Sequence, residues 1–261
     1  MEGKALLTVA FVGTAYCGYQ VQPNGVTVQE MLGRAAEALF GYPCDVVGCS
    51  RTDSGVHAKC FCVAISAKGT TELETSIPPA RIARAMNAHL PDDISVLRSQ
   101  WVDAEFHPRY DVVSKEYEYL IYNGSERDPF FNDRAWHIPT PIDADALKRM
   151  QTAADAFCGT QNFSAFRAVG ADTEAADAVR TVVSATVERR GDLIAFRVRA
   201  DGFLYHMVRI MAGTLVAVAK GRIAPEHIPD LIAQKDRRAA GITAPACGLY
   251  LRDVTYPAVK P

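Results

Sequence analysis

"GCSRTDSGVHAKC", residues 48–60, is a polar stretch set between two apolar ones, 44–47 before it and 61–65 after it. Two short apolar segments joined by polar residues predict a strand–loop–strand unit. The loop places Arg51, Thr52, Asp53, Ser54, Gly55 and His57 in close succession, with a carboxylate between a guanidinium and an imidazole. That set suits a polar turn and a catalytic loop alike, and composition alone does not choose between them.

Working outward, residues 5–11 read as a strand and "GTAYCGYQVQPNG", residues 13–25, as a loop. Thr27 and Glu30 form a T-x-x-E capping box for a helix through Met31, Leu32, Ala35, Ala38 and Leu39, ended by Gly41 and Pro43. Residues 44–49 and 59–67 flank the loop as strands. A helix opens at Pro78 or Pro79 and runs to about Leu90, before Pro91, and residues 94–102 form a further strand. The order is strand, helix, strand, strand, helix, strand.

Residues beyond about 140 repeat that order. Asp143 or Asp145 caps a helix to Phe157, with Gly159 just past its end. Residues 179–189 and 193–199 alternate like paired strands joined by Arg190-Gly191-Asp192; an apolar helix covers about 203–220, a short helix 225–234, and residues 249–254 close as a strand. Between the halves, "KEYEYLIYN" (115–123) alternates as a strand. The expectation is an α+β protein of two ferredoxin-like α/β halves, 1–104 and 105–261, whose antiparallel sheets join around a central cleft.

The chain has 261 residues, 49% apolar and 22% charged, the composition of a soluble globular protein able to bury its own core. A net charge of -2 excludes a globally basic nucleic-acid binder, so any such surface must be a local patch. Twenty arginines against eight lysines suit bidentate phosphate contacts. Seven cysteines, an odd number without C-x-x-C, fit a reducing compartment and no zinc site. Cys60 and Cys62, on one face of a strand, read as small buried hydrophobes. The first residues, "MEGKALLTVAFVGTAYC", loosely resemble a signal peptide, but Glu2, Thr8 and Tyr16 argue for a sheet edge. No segment reaches the ~18 apolar residues of a membrane span, and the expected location is cytoplasmic.

"FLYHMVRIMAGTLVAVA" (203–219) is apolar nearly all round, which predicts a buried helix with Arg209 in its middle. A buried guanidinium requires a carboxylate or a ligand anion. A structural ion pair meets that requirement; so does the orienting of a catalytic carboxylate, for which Asp53 is the candidate. In "KEYEYLIY" Tyr117, Tyr119 and Ile121 share one face, Glu118, Leu120 and Tyr122 the other. Packing is the ordinary role of such tyrosines; stacking on a flat base is the functional one. Arg109 in "FHPRYD" and Arg167 in "FSAFRA" sit beside aromatics and are candidate RNA contacts, as is His57, which also has the chemistry of a general base. Asp53, Ser54 and His57 are too crowded along one loop to form a hydrolase triad. No G-x-S-x-G, Walker loop or dinucleotide fingerprint occurs.

"SRTDSGVHA" resembles the catalytic loop of the TruA-type tRNA pseudouridine synthases. "GTAYCGYQVQPNGVTVQE", "LPDDISV", "FHPRYD", "KEYEY", "FLYHMVRIMAGTL", "DRRAAGITAPACGLYL" and the terminal "VTY" occur in the family's order, from about Val9 to Tyr256. The resemblance implies the pseudouridine synthase fold and isomerisation of uridine to pseudouridine at positions 38, 39 and 40 of the tRNA anticodon arm. It implies a homodimer that needs neither cofactor nor metal. By position, Asp53 matches the catalytic aspartate, Tyr117 the tyrosine that stacks on the target uracil, and Arg209 the arginine paired with the aspartate. Arg51 matches the arginine associated with base flipping, and Leu249 an apolar pocket residue. Ser50 stands where glycine is usual, Tyr19 where tryptophan is usual, Pro108 replaces a small residue, and Lys59-Cys60-Phe61 replaces a more polar stretch. Two other classes are open to the same residues. One is a non-catalytic tRNA binder, or a synthase acting on another RNA. The other is a glycoside-type hydrolase, which would need a second carboxylate; Glu30 and Glu116 are its speculative candidates.

Overall fold

The computed structural model describes residues 3–168 and 178–257. The chain forms two compact units, Met1–Val113 with Tyr250–Pro261, and Ser114–Leu249.

The first unit opens with β1 (Lys4–Phe11), followed by α1 (Val28–Phe40), β2 (Cys44–Gly48), β3 (His57–Ala67), α2 (Pro79–Asn87) and β4 (Ile94–Val102). The predicted strand–helix–strand–strand–helix–strand order holds. β1 lies between β4 and β3, antiparallel to both, and β2 pairs with the far half of β3. The capping box of α1 forms as expected: Thr27 Oγ1 accepts the Glu30 N–H at 3.3 Å, and Gly41 ends the helix in the left-handed region. α2 takes Pro79 as its first helical residue, where the missing N–H costs nothing, and stops three residues earlier than the proline signal suggested. Phe61, Val63 and Ile65 of β3 are fully buried with Leu7 and Val9 of β1, Leu32 of α1 and Ile82 and Met86 of α2, forming this unit's core.

The second unit runs β5 (Ser114–Tyr122), β6 (Trp136–His137), α3 (Ala144–Asp155), β7 (Gly159–Asn162), β8 (Val179–Arg190), β9 (Leu193–Ala200), α4 (Met207–Ala219) and α5 (Ile228–Gln234). β9 pairs antiparallel with β5 and β8, β7 extends the sheet beyond β8, and the short β6 pairs parallel with β5. β6 and β7 are too short to show a periodicity in sequence. Asp143, not Asp145, caps α3, accepting the Ala146 N–H at 2.7 Å. The β8–β9 turn is tighter than expected, Gly191-Asp192 alone, with Gly191 at φ 61. α4 begins at Met207, because His206 takes a left-handed φ of 60 that a helix cannot continue.

The last strand, β10 (Leu249–Thr255), returns to the first unit and pairs parallel with β3, Tyr250 opposite His57 and Leu251 opposite Ala58. Besides β1, β3 therefore serves two further partners, β10 at its start and β2 at its end. The α+β class is the expected one. No helix among the described residues is long and apolar enough to cross a membrane.

Candidate active site

The loop between β2 and β3 is held mostly by the segment that follows β1. Thr52 O accepts the Tyr19 N–H at 3.2 Å, and the Ser54 hydroxyl donates to Tyr16 O at 3.1 Å. Gly18 supplies the close approach: it sits at φ 81, and a Cβ there would run into the Thr52 carbonyl. The glycines and aromatics of "GTAYCGY" are therefore a cradle for the Asp53 loop. The loop then turns back on itself, with the Val56 N–H donating to Asp53 O at 3.2 Å, so the Asp53 backbone is restrained from both sides. The Asp53 side chain is half-buried and Arg51 is exposed.

His57 is not in the loop. It is the first residue of β3 and is fully buried, 0% exposed. Its Nδ1 accepts the Gly13 N–H at 3.0 Å, and its ring stacks on Tyr250 at 4.6 Å. An imidazole without accessible surface cannot touch RNA, and a ring nitrogen occupied as a hydrogen-bond acceptor is no free base. The expectation that His57 contacts RNA is corrected: it fastens the exit of the loop to the start of the cradle. Ser54, bonded to a main-chain carbonyl, does not enter a triad either.

Tyr19 packs inside the cradle against Phe61, ring centroids 4.4 Å apart. It is 2% exposed, and its hydroxyl has no hydrogen-bond partner among the described residues. Burial pushes its phenol well above the ordinary range. The unusual tyrosine at this position thus carries an unsatisfied polar atom into an aromatic pocket.

In the second unit Tyr117 lies on β5 opposite Val198, 6% exposed, its ring edge-on to Phe203 at 5.1 Å. The predicted alternation of β5 is observed. On the opposite face Glu116 pairs with Arg199 at 2.9 Å, and Glu118, 2% exposed, pairs with Arg197 at 2.9 Å. Glu116 and Glu118 are thus tied into cross-strand ion pairs.

Arg209 is in the first turn of α4 and half-buried, rather than at the centre of a fully buried helix. Its Nε donates to Ala244 O at 2.8 Å, while its own carbonyl accepts the Ala244 N–H at 3.1 Å. This two-bond clasp fixes Ala244, within "DRRAAGITAPACGLYL", against the start of α4. The segment crosses α4 where Gly213 leaves room; a Cβ there would meet the Ile242 carbonyl. The Thr214 hydroxyl accepts the Gly241 N–H at 2.9 Å. Further on, Tyr119 donates to Pro245 O at 2.7 Å. Leu249, 6% exposed, follows as the first residue of β10.

Arg109 is exposed and lies over the Tyr110 ring at 5.9 Å; Tyr110 also stacks on His107 at 4.2 Å. Arg167 is half-buried beside Phe166. What sequence reading missed are Gly13 and Gly18 as the loop's supports. Their signal was visible in the density of glycine and aromatics after β1, but the partner they support is remote in sequence.

The sequence profile described as tRNA pseudouridine synthase matches residues 7–111 and 153–257. A tRNA pseudouridine synthase A of Acetivibrio thermocellus is 42% identical over 250 residues, covering 96% of this chain and 98% of its own. The enzyme of the same name from Pelobacter propionicus is 44% identical over 250 residues with the same coverage, and that of Bacillus pumilus 41% over 255 residues, 97% of this chain and 99% of its own. Matched by the profile in both its halves and by these relatives over nearly its whole length, the chain belongs to the tRNA pseudouridine synthase family, whose members are pseudouridine-forming isomerases.

Proposed function

We propose that this protein isomerises uridine to pseudouridine in tRNA, at positions 38, 39 and 40 of the anticodon arm, with Asp53 as the nucleophile. The observation that carries the reading is the R-T-D-S-G-V-H loop. It is clamped on its backbone from two directions, in a chain 42% identical over nearly its whole length to a relative named for this reaction.

The reaction breaks the bond from ribose C1′ to uracil N1 and forms one from C1′ to C5; C5 loses a hydrogen and N1 gains one. Nothing is oxidised and no phosphoanhydride is spent, so the chemistry needs no cofactor. It needs a group that attacks or stabilises the electron-poor intermediate, which is the role proposed for Asp53. Arg209, its guanidinium already steadied by Ala244, is the proposed partner that keeps this carboxylate ionised and aimed. Tyr117 is proposed to stack on the extruded uracil, an interaction of ~1–3 kcal/mol. Arg51, being exposed, fills the space the base leaves. Leu249 adds an apolar wall against water. Arg109 and Arg167 are the proposed phosphate contacts. The enzyme is proposed to act as a homodimer in the cytoplasm, with tRNA spanning both subunits.

The test uses tRNA transcripts carrying one target uridine each at 38, 39 or 40, incubated with wild-type and Asp53→Asn protein. Pseudouridine is mapped by carbodiimide-blocked primer extension. Stops with wild type only, while both proteins bind tRNA alike, support the assignment. Full activity of Asp53→Asn removes Asp53 from the chemistry. Tight binding by both without any stop means a binding protein or a different RNA substrate.

A further inference from the structure

The connection from β9 to α4 carries the run Phe203-Leu204-Tyr205-His206, whose members divide between core and surface. Leu204 is buried, and the Phe203 ring stands edge-on to Tyr117 at 5.1 Å. Tyr205 is not packed inward; it is 45% exposed. Against it lies a second ring, His206, stacked at 3.8 Å with an interplanar angle of 28°. Neighbouring side chains of a helix or strand point apart, so consecutive rings stack only where the backbone bends sharply. The bend is His206 itself, at φ 60 and ψ 7, a left-handed conformation that a residue with a Cβ keeps only where its surroundings hold it. Three main-chain bonds hold it. The Ala168 N–H donates to Tyr205 O at 3.1 Å, the Met207 N–H to Leu204 O at 3.0 Å, and the Ile210 N–H to His206 O at 3.0 Å. Local strain thus maintains a two-ring stack that is partly open to solvent, where burial in the core gives it no account.

Two arginines lie along the same segment. The bond from Ala168 brings Arg167, the residue before it, beside the Tyr205 turn. Gly202 leaves room for Arg180, whose Nε would stand 3.3 Å from a Cβ there, and the Asp201 N–H, donating to Thr181 O at 3.1 Å, ties the start of β8 to the same place. Flat rings flanked by guanidinium groups suit an unpaired base and its phosphates. Tyr205 is two residues beyond Phe203, so their Cα atoms are no more than ~7 Å apart, and Phe203 touches Tyr117. We propose that Tyr205, backed by His206, is a stacking site for a second base of the substrate RNA, that of a nucleotide adjacent to the target uridine. The inference rests on the reading of Tyr117 as the ring that meets the target uracil. A base held on Tyr205 fixes the strand where the target leaves its stack and offsets part of the cost of that step. Every base has a π-face, so the site tolerates different neighbours. That suits an enzyme proposed to act at three positions.

The test is a double-mutant cycle between protein and RNA. Dissociation constants are measured for tRNA transcripts carrying one target uridine, either intact or abasic at the nucleotide before or after it. Conversion to pseudouridine is followed separately. Tyr205→Ala is expected to bind the intact transcript about tenfold more weakly than wild type, while Tyr205→Phe, which keeps the ring, stays within about twofold. Removing one of the two flanking bases weakens wild type by about the same factor as Tyr205→Ala does and weakens Tyr205→Ala no further. His206→Gly keeps the left-handed turn and removes the second ring; it loses affinity for the intact transcript and none for the abasic one. Tyr205→Leu keeps apolar bulk without a flat ring and loses as much as Tyr205→Ala. The proposal is overturned if Tyr205→Ala binds the intact transcript like wild type, if its loss is the same with and without each flanking base, or if Tyr205→Leu restores binding. A wild type that binds the transcripts without converting them removes the proposed reaction, and the binding cycle still decides the stacking site.

Discussion

The role of His57 can be tested by separating its two contacts. The ring accepts the buried Gly13 N–H at 3.0 Å and stacks on Tyr250 at 4.6 Å. Phenylalanine keeps the stack and abolishes the acceptor, leaving a buried main-chain donor unpaired, at a cost of ~1–3 kcal/mol. Asparagine carries an amide oxygen near the place of Nδ1 and keeps the acceptor, but gives up the stack, worth ~0.5–1.5 kcal/mol. Both variants are therefore destabilised, for different reasons, and urea unfolding measures each. Activity tells them apart. The Gly13 bond fixes where β3 leaves the Asp53 loop, and a misplacement of ~1 Å at a reacting group costs ~10²-fold in rate. His57→Phe is expected to lose about that much turnover; His57→Asn is expected to stay within about tenfold of wild type in single-turnover assays on a tRNA transcript. If His57→Asn is as inactive as His57→Phe, His57 moves a proton and its structural reading fails. If His57→Phe is as stable and as active as wild type, the clamp itself is irrelevant.

Gly18→Ala combines a left-handed backbone, ~1–2 kcal/mol for a residue with a Cβ, with a steric overlap on the Thr52 carbonyl, so denaturation should show ~2–4 kcal/mol lost and turnover should fall with it. Gly213→Ala would ordinarily strengthen a helix by ~1 kcal/mol, but here it should destabilise, because the added methyl meets the Ile242 carbonyl; a rise in Tm would refute the crossing of α4 by that segment. Tyr19→Phe removes a buried hydroxyl that has no hydrogen-bond partner among the described residues and should be neutral or stabilising by ~1 kcal/mol in urea titrations. Arg197→Met removes the nearer of the two arginines that face the buried Glu118, leaving Arg190 at 4.0 Å, and should cost ~1–3 kcal/mol, part of it recovered when Glu118→Met is added in a double-mutant cycle.

Much was legible in the chain because its signals are local. Thr27 and Glu30 cap α1 from three residues apart, Pro79 opens α2, and the alternation of Tyr117 and Glu118 across β5 follows from strand geometry alone. The motif order, and with it the family, is likewise a property of the linear text. What the sequence left open depends on groups far apart along it. His57 looks like a loop base until the Gly13 N–H, forty-four residues away, is seen to occupy its nitrogen. Arg209 looks like a buried charge in mid-helix until the left-handed His206 delays the helix and places it in the first turn, against Ala244. β10 reads as the last strand of the second half, yet it pairs with β3 in the first unit. Capping, alternation and helix breaking act within a turn or two of the chain and are written there. Strand partnership, and which polar atom satisfies which, are decided only when distant segments compete for the same buried donors, and that competition is settled in three dimensions.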